Sequence, residues 1–185
     1  IAEAGEYLQF DMLYERAWPD YAYPQAVDTE NVHMANYLAF VKHHTEQFGM
    51  QQEPFYVGAE NQIALKNNPE KYPNFSIRNL AANAEVWTGE EGKTIRYDDL
   101  NADNTKGRIN ENALSIAVRF DYGPFSYYSG GDISTSLKDE KGERVNIETK
   151  VGEACGEVDV CKANHHSYKD AMPMEFLSAV KAKNY

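Results

Sequence analysis

Three residues, Asp132, His165 and His166, carry the strongest chemical signal in the sequence. Asp132 follows Gly130-Gly131, and the two histidines are adjacent, with Asn164 before them and Ser167 after. Near neutral pH histidine is uncharged and aspartate ionised, so together they offer borderline nitrogen and oxygen donors suited to zinc, with manganese or iron as other candidates. A divalent ion lowers the pKa of a bound water from about 16 to near 7, which creates a nucleophile for ester hydrolysis. Asp132, His165 and His166 are therefore the candidate metal ligands and the candidate catalytic residues, and a carboxylate aimed from a glycine bend is able to bridge two cations. Adjacent residues leaving a strand face opposite ways. One histidine is thus expected to bind metal and the other to hydrogen-bond the loop or the leaving group, with a slight preference for His166 as the ligand. Lys162 and Asn164 are candidate substrate contacts, although Lys162 reads equally well as a solvent-facing charge.

Strand patterns lead into both groups. Leu114, Ile116, Val118 and Phe120 alternate as in a half-buried strand, Asp121-Tyr122-Gly123-Pro124 has turn chemistry, and residues 125–129 form a return arm that runs into Gly130-Gly131-Asp132. A polar loop with Asp139-Glu140-Lys141-Gly142 follows. Val145, Glu148 and Val151, three residues apart, predict a helix over about 143–154, and the short apolar run 158–163 predicts a strand ending at Asn164-His165-His166.

The order strand, Asp, helix, strand, His-His resembles the second half of the metallo-β-lactamase fold. Within that fold it resembles the hydrolase-like group that includes the nuclease domain of the DNA-uptake competence protein and the bacterial phosphocholine esterases. The matching residues are Asn112, Ser115, Tyr122-Gly123, Gly131-Asp132, Glu148, Asp159-Val160 and Lys162-Ala163-Asn164-His165-His166. Ser167 stands where the family usually has glycine. The resemblance implies an α+β or α/β chain forming part of a four-layer αββα sandwich, a two-ion centre, and a phosphoester as substrate. It also implies an upstream His-x-His-x-Asp-His motif, which this sequence lacks. Residues 1–185 are accordingly expected to be a single domain, the C-terminal portion of the fold. Its partners would be the missing N-terminal half and a small-molecule ester. A non-catalytic binding or structural domain that keeps the fold is the alternative.

The remaining chain agrees with a globular protein. Of 185 residues, 42% are apolar and 25% charged, and no apolar run approaches the roughly 18 residues of a membrane span. Net charge is −11, which disfavours extended nucleic acid as a partner and fits a small substrate better. The sequence opens at Ile1 without methionine or a signal pattern, so an upstream segment is expected and localisation stays open.

Cys155 and Cys161 read as reduced, buried thiols. Residues 7–15 alternate as a strand. Asp28 or Thr29 is expected to cap a helix running to Phe48, with Met34, Tyr37, Leu38, Val41 and Phe48 on its apolar stripe and Gly49 as its stop. His43 and His44 on that helix diverge by about 100° and are not expected to share a metal. Tyr21 and Tyr23 could line a substrate mouth or simply pack. Short strands are predicted at 55–57, 63–65, 75–78 and 84–87. A polar surface loop is predicted over 88–109, its Asp98-Asp99 cluster lacking calcium-loop spacing. Asp170 is expected to cap a last helix.

Overall fold

A computed structural model of the chain describes residues 2–97, 100–101, 109–135, 137–139 and 141–185; Asp98, Asp99 and the 102–108 part of the acidic loop lie outside the described residues. Among the described residues the fold is α+β: four helices and a six-stranded mixed sheet, together with two small two-stranded sheets. No described helix is long and apolar enough to cross a membrane. The chain groups into two compact units, 1–55 and 56–185.

The first unit contains α1 (Ala2–Gly5), β1 (Met12–Glu15), α2 (Val32–Phe48) and β2 (Gln51–Pro54), with β1 and β2 parallel. The expected strand over 7–15 is confined to its last four residues, and β2 forms before the predicted strand at 55–57. Helix α2 starts later than Asp28 or Thr29 would place it. Its cap is Asn31, whose side chain accepts from His33 N and Met34 N, while Gly49 ends it in the left-handed conformation, as its position suggests. The buried face carries Phe40, Val41 and His44 with Tyr37 packed against it, so the predicted stripe is met at Tyr37 and Val41 and widened to Phe40 and His44, while Phe48 is exposed. His44 Nε2 lies 3.1 Å from the Gly5 carbonyl, and its ring packs 4.4 Å from that of Phe40. Because a carbonyl only accepts, Nε2 must carry the proton, and the imidazole serves as a packed core group. Tyr21 donates to Glu15 at 2.6 Å, an internal bond of this unit.

In the second unit the main sheet has the order β10-β8-β7-β3-β4-β5, built from β3 (Phe75–Ala82), β4 (Glu85–Trp87), β5 (Thr94–Arg96), β7 (Ala117–Tyr122), β8 (Phe125–Ser129) and β10 (Val160–Cys161). The predicted strand at 63–65 does not form, and β5 rises from the loop expected to be irregular. A further ladder joins β6 (Leu100–Asn101) to β9 (Lys138–Asp139). Leu114 belongs to a 3₁₀ turn over Glu111–Leu114, so the hairpin arm begins only at Ala117. Helices α3 (Ile147–Cys155) and α4 (Met174–Val180) cover one face of the sheet, where Leu80, Leu114, Tyr128, Ile147, Val151 and Phe176 make a buried core.

Two side chains fix how this layer docks. Arg119 on β7 pairs with Asp121 and reaches the carbonyls of Cys155 and Glu157 past the end of α3. Asp159 accepts from Ser126 N at 2.8 Å and from its hydroxyl at 3.2 Å, which sets the register of β10 on β8. Cys155 and Cys161 are free thiols whose burial pushes both up to about 12.

Candidate functional site

Strand direction brings the candidate residues together. β10 pairs with β8 in parallel, Val160 opposite Tyr127 and Cys161 opposite Tyr128, so the two strands end on the same side. Open sheets present their ligand-binding groups beyond such carboxyl ends. Asp132 follows β8 by a few residues and the histidines follow β10 by a similar number. Asp132 Oδ1 and His166 Nε2 lie 3.3 Å apart.

The turn that carries Asp132 is built on glycine. Gly131 has φ +57°, a conformation open to glycine at no steric cost. A side chain at Gly130 would collide with the Tyr128 hydroxyl and come within 2.6 Å of Asn164 Oδ1. Ser115 Oγ accepts from Asp132 N at 3.2 Å and orients the bend. Lys162 reaches across from β10: its ammonium donates to the carbonyls of Gly131 at 2.6 Å and Ala163 at 3.0 Å, and stands 3.9 Å from Asp132 Oδ1. Two of its three donors thus join the Asp132 bend to the strand end before the histidines.

The histidine turn is strained where the first is relaxed. His165, His166 and Ser167 have φ of +43°, +53° and +57°. Each non-glycine residue in that region costs roughly 1–2 kcal/mol. Ser167 occupies a position whose backbone suits glycine. The strain is offset by a set of hydrogen bonds. His165 N donates to Gly131 O at 3.3 Å and Tyr168 N to His165 O at 2.8 Å, while Thr135 N and Oγ1 hold the Asp170 carbonyl.

The two imidazoles have different surroundings. His165 is 18% exposed, with Nδ1 2.9 Å from Asp170 Oδ1 and Nε2 3.1 Å from Asn112 Nδ2. An ionised carboxylate only accepts, so Nδ1 carries the proton and Nε2 accepts from the Asn112 amide, a bond that a cation would have to displace to reach this nitrogen. His166 is 78% exposed and faces Asp132. Asp170 is therefore the partner of His165, not the expected cap of α4, a position that falls to Pro173.

Asn164 is fully buried, which removes it from substrate contact. Its amide donates to Glu148 Oε1 at 2.9 Å, and Met172 N donates to the same oxygen at 2.7 Å. Burial pushes the Glu148 carboxyl up to about 6, against these two hydrogen bonds, which favour the charged form. Asn112 and Glu148 were assigned no role of their own from sequence, and Asp170 only that of a helix cap. Glu148 sits on a helical stripe and looks like an ordinary polar flank, and the Asp170 pairing spans an irregular loop where spacing carries no rule.

The donor set fits a borderline divalent cation in type, and also in spacing: two atoms bound to one tetrahedral zinc at about 2.0–2.1 Å lie roughly 3.3 Å apart. Among the described residues, however, no group of three or more His, Cys, Asp or Glu is arranged to hold a metal ion. Asp132 and His166 would supply two donors, where a hydrolytic zinc centre ordinarily takes at least three from protein. No protein-family model matches the chain, and no curated protein matches it significantly.

Proposed function

We propose that this chain carries the downstream half of a metal-dependent hydrolase centre of the metallo-β-lactamase type, acting on a phosphoester. The observation that carries the reading is the approach of Asp132 and His166 to 3.3 Å beyond the ends of two parallel strands. Asp132 and His166 would hold the cation, most suitably zinc and one of two ions in the intact fold, with His165 as the second imidazole. When bound, the ion supplies an acidified water and neutralises charge developing on the phosphoryl oxygens. The chain's own residues do the positioning: Asp170 and Asn112 fix the His165 ring between them, and Lys162 and Ser115 fix the Asp132 bend.

The sheet also supports the four-layer αββα reading. Registers place Phe75, Phe120, Tyr122, Phe125 and Tyr127 on the face opposite Arg119 and α3, with Tyr122 and Phe125 about half exposed. An aromatic face of this kind suits a second sheet, which in this reading comes from the N-terminal half along with the remaining ligands. The alternative, a binding or structural domain that keeps the fold without chemistry, is favoured by the lack of a third converging ligand among the described residues.

Turnover of bis-nitrophenyl phosphate, nitrophenyl phosphate and a lactone by the intact, metal-loaded protein separates the readings. Phosphoester hydrolysis abolished by Asp132→Ala and unchanged by His43→Ala is the expected result. Turnover of the lactone alone would overturn the substrate class, and activity surviving Asp132→Ala would overturn the mechanism.

A further inference from the structure

The segment from Asn164 to Met172 carries both histidines and Asp170, and it contains four residues in the left-handed region: His165, His166, Ser167 and Met172. Little in its own sequence favours that path. Tyr168 N to His165 O and His165 Nδ1 to Asp170 brace it from within, and its two ends converge on one atom outside it. Glu148 Oε1, on the buried face of α3, accepts from the Asn164 side chain at 2.9 Å and from the Met172 backbone at 2.7 Å. Glu148 is fully buried, and among the described residues its second oxygen, Oε2, has no hydrogen-bond partner, so both hydrogen bonds of the carboxyl go to this segment. A buried acceptor bonded twice through one oxygen and not at all through the other is costly to keep. It makes sense where the two bonds fix geometry that matters.

We infer that Glu148 is the positioning residue of the candidate site: one buried oxygen clamps both ends of the 164–172 segment and so sets the direction in which His165 and His166 leave the chain. The functional consequence rests on the reading of these histidines as metal ligands; the clamp itself does not. Reach rather than charge is what the clamp requires. Glutamine at 148 keeps an acceptor at the same distance, and its amide could serve the Asn164 Oδ1, which is buried without a partner. Aspartate keeps the charge but is one methylene short of spanning both donors.

Amide hydrogen exchange of the whole chain at neutral pH reads this directly, followed at Tyr168, Ala171 and Met172, together with the His165 Nδ1–H resonance. Glu148→Gln is expected to match the unsubstituted chain. Glu148→Asp should speed exchange across the segment by roughly tenfold or more and broaden or lose the His165 signal, while β7 and β8 remain protected. A Glu148→Asp chain with unchanged exchange, or a Glu148→Gln chain as loosened as Glu148→Asp, would overturn the clamp. Should Glu148→Asp fail to fold, Asn164→Ala decides the matter. Loosening at Tyr168 with Met172 still protected supports two separate anchors on one oxygen, and no loosening at Tyr168 overturns them. Turnover by the intact protein judges the metal reading and does not enter this test, so the two fail separately.

Discussion

The turns that carry Asp132 and the two histidines solve the same geometric problem in opposite ways. Gly130-Gly131 makes the Asp132 bend from residues that adopt it freely, and the close approach of Tyr128 leaves no room for a side chain there. The Asn164–Ser167 turn forces two histidines and a serine into the left-handed region and relies on Glu148, Asp170 and Gly131 to hold them. Where a turn needs only backbone freedom, glycine suffices. Where the turn residues are themselves the chemistry, the backbone must be constrained by partners elsewhere in the fold.

The contrast breaks most visibly at Gly130. Gly130→Ala drives a Cβ into the buried Tyr128 hydroxyl and the Asn164 amide, and overpacking of this kind costs about 1–3 kcal/mol. Urea unfolding should show that loss, and a neutral result would mean that the glycine turn is as adaptable as a surface loop.

A second, slightly smaller effect tests the buried support of the histidine turn. Glu148 titrates near 6 in the fold against an ordinary 4.5, so the folded chain binds its proton more tightly than the unfolded one. The corresponding stability is fully present below about pH 4.5 and is lost as pH rises through 6, amounting to about 2 kcal/mol. Nearby Asp170 pushes the same way and His165 opposes it. The stability difference between the native chain and Glu148→Gln, followed by urea unfolding across that window, should fall with rising pH; a flat difference would show that Glu148 is not held apart from solvent.

The smallest expected effect sharpens the comparison by exchanging its terms. Ser167→Gly should relieve left-handed strain and leave stability unchanged or higher by up to about 1 kcal/mol, the gain being limited by the greater entropy of an unfolded glycine. Gly131→Ala should cost about 1 kcal/mol, since its Cβ would meet Ser115 at 3.1 Å in the same region of backbone space. Thermal unfolding of the two variants checks both signs, and a destabilised Ser167→Gly chain would mean that the serine side chain has a partner worth more than the strain.

Local patterning was enough to make several elements legible. The alternation at Val118 and Phe120 with the turn at Gly123-Pro124 marks the β7–β8 hairpin, Gly49 marks the end of α2, and Gly130-Gly131 marks a bend ahead of Asp132. These are decisions made within a few residues of chain. On α2 the stripe through Tyr37 and Val41 was legible, but the burial of Phe40 and His44 was not, because it depends on neighbours, here the Gly5 carbonyl and the Phe40 ring against His44. β5 was invisible because its three residues are exposed and owe their extension to pairing with β4.

The sequence by itself determined the donors: which side chains are able to bind a cation, and that each follows a strand. Tertiary structure alone decided that they meet, because the pairing of β10 beside β8 joins positions more than thirty residues apart. It also decided the roles of the flanking groups. Lys162 and Asn164 turned inward to hold the two turns, and Glu148 and Asp170 became their anchors. Hydrogen bonds between segments depend on distances that no local pattern encodes, and a buried polar group takes its role from the partner that burial brings to it.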